Sequence, residues 1–149
     1  MEQDRNYSKF IEYFNKTDGF TKINGLRIVE MKPGYAVAEV DVTKEHLNFM
    51  GTVHGAVFFG LVDISAACAF FAYGSHCVTL SSNVSFLAAA TEGKITAVAH
   101  AVSHSRRMAV MEVDISDENG RLLCRGMSTM YVSNDSKKLN EAAPDRFFG

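Results

Sequence analysis

A basic surplus, paired cysteines and an apolar N-terminal leader are what this chain lacks, and each absence removes a class of function. Fifteen basic side chains stand against 17 acidic ones, giving a formal net charge of −2. No positive excess exists to neutralise phosphates, so a nucleic-acid partner is not expected. The cysteines are three, Cys68, Cys77 and Cys124. Their odd number and spacing fit neither a disulfide framework nor a zinc site and read as reduced packing residues. The opening Met1-Glu2-Gln3-Asp4-Arg5 is not followed by an apolar run. A secretory leader is therefore not visible, and the expected location is the cytoplasm.

A membrane span is the next thing missing. Residues 55–74 come close to the ~20 apolar residues that a bilayer crossing needs. Asp63 sits in their middle, Gly60 and Ser65 interrupt them, and basic flanks are absent. An aspartate at that depth costs about 2.5–3.5 kcal/mol even on the permissive insertion scale. The segment reads as a buried helix of a soluble protein.

What is present is one domain's worth of core, 149 residues of which 47% are hydrophobic. Residues 7–16 place Phe10, Ile11, Tyr13 and Phe14 at helical spacing and predict a short amphipathic helix that ends near Asp18-Gly19. Residues 26–31 and 35–42 flank Lys32-Pro33-Gly34 and predict a hairpin. The apolar segment after His54 runs to about Tyr73 and is hydrophobic on every face, so other structure must enclose it.

From Val78 the period becomes that of a strand. Val78, Leu80, Ser82, Val84 and Phe86 alternate with Thr79, Ser81, Asn83 and Ser85, predicting two different strand faces. Residues 94–103, 108–116 and 121–132 repeat the character. Residues 90–93, 103–107 and 117–120 supply hairpin connections, with Asn119-Gly120 the clearest turn signal. Antiparallel strands curled around one apolar helix make an α+β domain over residues 1–133. A polar tail follows over residues 134–149, in which Phe147 and Phe148 could dock.

Asp63 is the only charged side chain from Gly55 to Ser75. A carboxylate in so apolar a helix needs a compensating partner; the plain alternative is a hydrogen bond to backbone or exposure to solvent. Gly55 stands where that helix begins. Its N–H belongs to the first turn, whose amides lack intrahelical partners and favour negative charge. It could polarise a carbonyl oxygen, and a glycine lets that oxygen approach. A loop glycine beside a capping His54 explains the pair equally well.

Eight positions separate Gly55 from Asp63, about 12 Å along a helix at ~1.5 Å per residue. A base must act within about 3 Å of its target or through one water. If both residues serve one reaction, Asp63 comes from a second subunit, and the chain works as a homodimer.

The run Asn48-Phe49-Met50-Gly51-Thr52-Val53-His54-Gly55-Ala56, followed by Leu61-Val62-Asp63, resembles the signature of hotdog-fold thioesterases of the PaaI-like, phenylacetate-pathway group. The resemblance extends from about Gly25 to Val132. It implies a hotdog fold, a sheet wrapped around a central helix, and dimers with shared sites that commonly pair into tetramers. It implies hydrolysis of an acyl-CoA thioester without a cofactor or metal. By position, Gly55 would supply the oxyanion amide and the partner's Asp63 the base or nucleophile. Asn48 and His54 would hold thioester or water, and Thr79 would orient the water. Ala56 departs from the second glycine frequent in the family and would tighten the pocket.

Arg106 and Arg107 could meet CoA phosphates through bidentate contacts, although a solvated hairpin tip accounts for them and is the favoured reading. His100 and His104 would share a strand face but stand about 13 Å apart at ~3.3 Å per residue, too far for one metal. Cys124 has no base beside it and is not expected to be a nucleophile. Two other functions remain: a non-catalytic acyl-CoA binding module or sensor, and a hydratase on the same fold, whose usual motif is not seen.

Overall fold

The long apolar segment becomes a helix because nothing in it breaks one and both of its ends are capped. The computed structural model describes residues 7–133, and in it helix α3 spans Gly55–Phe71. The His54 ring accepts the Ala56 N–H at its start, and the Ala72 N–H closes onto Cys68 and Phe70 at its end. The buried Ser65 hydroxyl donates to the Leu61 carbonyl one turn back, at 2.7 Å, so no polar atom is stranded in the core. The C-terminal segment, residues 134–149, lies outside the described residues.

The six strands are β1 (Leu26–Lys32), β2 (Tyr35–Asp41), β3 (Cys77–Phe86), β4 (Lys94–His104), β5 (Met108–Ser116) and β6 (Leu122–Val132). They form one sheet in the order β1-β2-β4-β5-β6-β3, antiparallel throughout. Its inner face, including Ile28, Val40, Ile95, Met111, Ile115, Leu123 and Met130, is buried around α3. The sheet comes close to α3 at Gly126 of β6, where an added Cβ would meet both Val62 methyls of α3 at 2.9 Å. The outer face carries ion pairs, Arg27 with Glu39 and Asp41, and Arg125 with Asp114.

Residues 90–93 do not close a hairpin. β3 pairs with β6 and β4 with β2, so the segment between β3 and β4 crosses the molecule. Backbone bonds hold it down: Leu87 and Ala88 donate to Leu123, Val53 donates to Ala90, and Val42 donates to Gly93. The Gly93 turn signal is local chemistry, whereas the strand order is decided by burying α3.

Helix α1 (Ser8–Thr17) forms as the spacing predicts, and its Phe10 stacks on Phe71 at 4.3 Å. α1 ends at Asp18 as expected, where the Asp18 N–H closes onto the Phe14 carbonyl, and the same residue opens a further element. Its carboxylate accepts the Thr21 N–H and caps a second short helix, α2 (Gly19–Ile23). Asn15 of α1 turns its side-chain amide to the outer side of β1, donating to the Ile28 carbonyl at 2.8 Å and accepting the Ile28 N–H at 2.9 Å. A side chain thus takes the place of a neighbouring strand.

Among the register shifts of the sheet, those in β3 and β4 decide how the candidate residues face. Thr79 lies opposite Met130 but Ser81 opposite Thr129, so Leu80 is an extra residue in β3. The bulge breaks the strict alternation, so that Thr79 shares the inner face with Ser82, whose hydroxyl meets that of buried Ser128. In β4 the shift between Ala101 and Ser103 leaves His100 opposite Glu112 and His104 opposite the buried Ala109. The two histidines therefore do not share a face. His104 instead stacks on Tyr73 at 3.7 Å and meets Phe70 edge-on.

α3 is not enclosed on every side. Ala56, Phe59 and Asp63 form an exposed stripe along it, on spacing that repeats once per turn or two. Most of β3 is exposed as well, because β3 is the last strand of the sheet.

Candidate functional site

The start of α3 is built by two histidines and a tight loop. His46 is buried; its Nδ1 accepts the Thr43 N–H at 2.9 Å and its Nε2 lies 2.6 Å from the Asn24 carbonyl. A backbone N–H only donates and a carbonyl only accepts, so the ring is neutral with its proton on Nε2. The His46 carbonyl accepts the His54 N–H at 2.8 Å. His54 in turn caps the helix through Nδ1, which accepts the Ala56 N–H at 3.0 Å. Capping is thus what His54 does in the chain, and the same bond leaves its Nε2 as a donor facing outward.

Asn48 organises the loop before it. Its Oδ1 accepts the N–H groups of Met50 and Thr52, at 2.9 and 3.1 Å, and its Nδ2 donates to the Thr52 hydroxyl. Gly51 completes the turn at φ +83°, a conformation that L side chains rarely adopt. One Nδ2 hydrogen of Asn48 is left over.

From His54 to Val57, three backbone N–H groups have partners: His46, the His54 ring and the His54 carbonyl. The Gly55 N–H has none among the described residues. It opens into an apolar pocket of about 350 Å³ lined by Thr52, Val53, Phe58, Phe86, Leu87 and Ala88. A fixed, unpartnered amide at a helix N-terminus in an apolar pocket can stabilise an oxygen on which negative charge develops.

Asp63 lies two turns further along α3 and does not line that pocket. It is exposed, not buried, and the compensation that the sequence demands is the Thr79 hydroxyl, which donates to Asp63 Oδ1 at 2.8 Å. This contact exists because Thr79, opposite Met130, faces inward. Oδ2 has no partner among the described residues. α3 is unbroken from Gly55 to Asp63, so the two residues stay about 12 Å apart along it and one chain does not bring them together.

Arg106 and Arg107 are exposed at the β4–β5 turn. With Ser75, Tyr131 and Val132 they line a separate depression of about 410 Å³. It lies where β3 begins, on the Asp63 side of the molecule and away from Gly55.

The thiols are held in their neutral form. Burial pushes Cys124 up to about 11. Burial and then the nearby Asp63 charge push Cys77 up to about 12, and burial raises Cys68 well above the ordinary range. A thiol so raised carries almost no thiolate near neutral pH. Among the described residues, no helix is long and apolar enough to cross a membrane.

Sequence reasoning did not single out His46 and read Phe86 only within the strand alternation. His46 has one local partner, Thr43 three residues before it, whereas its contact with Asn24, like that of Phe86 with Gly55, comes from residues far along the chain.

Comparison with known proteins agrees with this architecture. Residues 50–124 match the family model of the thioesterase superfamily. A putative esterase of Archaeoglobus fulgidus is 31% identical over 125 residues, covering 83% of this chain and 81% of its own. The 1,4-dihydroxy-2-naphthoyl-CoA hydrolase of Listeria monocytogenes is 30% identical over 122 residues, covering 80% of this chain and 99% of its own. A mutant of the phenylacetic acid degradation protein PaaI from Thermus thermophilus has the same fold with a TM-score of 0.72 at 30% identity, over 76% of this chain and 98% of that one. With half of its sequence matching the family model and most of its length shared with such relatives, the chain belongs to the hotdog-fold thioesterase superfamily, in its PaaI-like branch.

Proposed function

We propose that this protein hydrolyses acyl-CoA thioesters at sites shared between two copies of the chain, with Gly55 of one copy and Asp63 of the other acting on the same carbonyl. The observation that carries the reading is the single helix that holds both groups. The Gly55 N–H and the Asp63 Oδ2 are each open, yet about 12 Å of helix separates them. Two α3 helices running antiparallel about a twofold axis bring each Asp63 to the other chain's Gly55. Exposed apolar side chains flank that route, Phe59 on α3 with Val78 and Leu80 on β3, and a second copy would cover them.

In the reaction, the thioester oxygen sits on the Gly55 N–H, with the leftover Asn48 Nδ2 hydrogen and the His54 Nε2 hydrogen beside it. Thr79 holds one oxygen of Asp63, and the other takes a proton from water as that water attacks the carbonyl carbon. The tetrahedral oxyanion collapses, the C–S bond breaks, and the proton passes from Asp63 to the departing CoA sulfur. Direct attack by Asp63, followed by hydrolysis of the acyl-enzyme anhydride, uses the same geometry. Trapping the acyl group on Asp63 separates the two. Arg106 and Arg107 are the basic pair available to CoA phosphates. Pairing of dimers into a tetramer and a reducing, cytoplasmic setting for the free thiols complete the reading.

The test is thiol release from short, medium, long and aromatic acyl-CoAs by the wild type and Asp63→Asn. Turnover falling by about 10²-fold or more in a folded variant supports the mechanism. Acyl-CoA binding without turnover in the wild type would make the protein a binding module instead, and equal turnover in both would remove Asp63 from the chemistry.

A further inference from the structure

We propose that Phe86 is the residue that sets how long an acyl group this enzyme accepts, acting as an aromatic wall beside the Gly55 amide. The inference rests on the proposed thioesterase reading. Phe86 is the last residue of β3 and faces inward, opposite Cys124. Its ring lies over the first turn of α3: an added Cβ on Gly55 would be 3.3 Å from Phe86 Cζ and 3.4 Å from Cε1. An acyl chain whose carbonyl rests on the Gly55 N–H must pass that ring, because both belong to the same pocket.

The wall has a fixed base and an adjustable face. The backbone behind it is pinned, since Leu87 and Ala88 both donate to the Leu123 carbonyl. The buried Phe58 ring packs behind Phe86 at 6.1 Å. The Phe86 side chain itself is 54% exposed, so its ring is free to contact a ligand. In one chain the groove is about 350 Å³ and open to solvent, and in the proposed dimer the second copy would bound the rest of the site. Its lining beyond Gly55 is almost wholly apolar, which suits an acyl chain and offers nothing to a charged one. Removing the Phe86 ring would widen the pocket beside Phe58, which already lines it, and lengthen the acyl group it holds.

The experiment measures kcat/KM for acetyl-, butyryl-, octanoyl- and phenylacetyl-CoA with wild type, Phe86→Ala and Phe86→Trp, alongside Tm and oligomeric state. The octanoyl-to-acetyl ratio should rise about tenfold or more in Phe86→Ala, the scale on which a few methylenes are discriminated in an apolar pocket. The ratio should fall in Phe86→Trp, which keeps an aromatic ring and decides the matter if the alanine variant does not fold. An unchanged ratio in the folded variants overturns the assignment of Phe86 while leaving the thioesterase reading intact. A wild type that turns over none of the four overturns both.

Discussion

At the scale of single residues, the chemistry depends on hydrogen bonds that fix direction. Thr79→Val keeps the shape of the side chain but removes the donor to Asp63. It should lower kcat about tenfold with little change in KM, and Thr79→Ser should restore most of the loss; steady-state kinetics on one acyl-CoA checks both. His46→Ala removes the partner of the Thr43 N–H and the Asn24 carbonyl, which are only partly buried, and should cost about 0.5–1.5 kcal/mol per lost bond in denaturant unfolding. Asp63 was legible in the sequence because a lone charge in an apolar helix stands out without any knowledge of the fold. Its exposure was not, since that depends on which strand ends beside it. Gly55 and His54 were legible as a helix start, but the sequence left open whether His54 caps or binds, and the bond to Ala56 shows the capping.

Elements carry a different kind of constraint, in which one residue decides how two pieces meet. Gly126→Ala drives a methyl into Val62 and should destabilise the fold by about 1–3 kcal/mol, read as a shift of the urea midpoint. The hairpins at Pro33-Gly34 and Asn119-Gly120 and the helix at residues 7–16 were readable because turn chemistry and periodicity are local. The crossing from β3 to β4, the bulges at Leu80 and near Val102, and helix α2 were not. Each is fixed by partners far along the chain or by a single cap at Asp18. Deleting Leu80 takes out the extra residue and leaves Thr79 opposite Met130 on the inner face, so the bond to Asp63 and the turnover that depends on it should survive, measured on the same substrate.

At the scale of the whole molecule, the proposed sharing of sites between two copies makes a sharp expectation. Gly55→Pro removes the N–H at the first helical position, where proline is tolerated, and also sets a ring carbon against Phe86, so it disables the site on both counts. Homodimers of Gly55→Pro or of Asp63→Asn would each have two defective sites. Refolding the two together yields mixed dimers in which one site has both defects and the other none, so activity should return to about a quarter of wild type. Assaying thiol release against mixing ratio tests this. Stability should also depend on pH through Cys77. Its folded value is raised from 9 to about 12, so the unfolded chain loses the proton first as pH rises. The stabilisation is complete below about pH 9 and is lost as pH climbs toward 12. Cys77→Ala should flatten the fall of the unfolding midpoint over that window.

The side-chain amide of Asn15 on Ile28 has a consequence for how copies of this chain can associate. A sheet with two bare ends can add neighbours indefinitely, as fibrils do. Here α1 satisfies backbone groups at the β1 end, and the β3 end remains open. The sheet then has a valence of one: two chains that join through β3 use up each other's only bare end, and growth stops at a closed pair. Asn15→Ala would raise that valence, and the same six strands that make a finite enzyme would be free to polymerise.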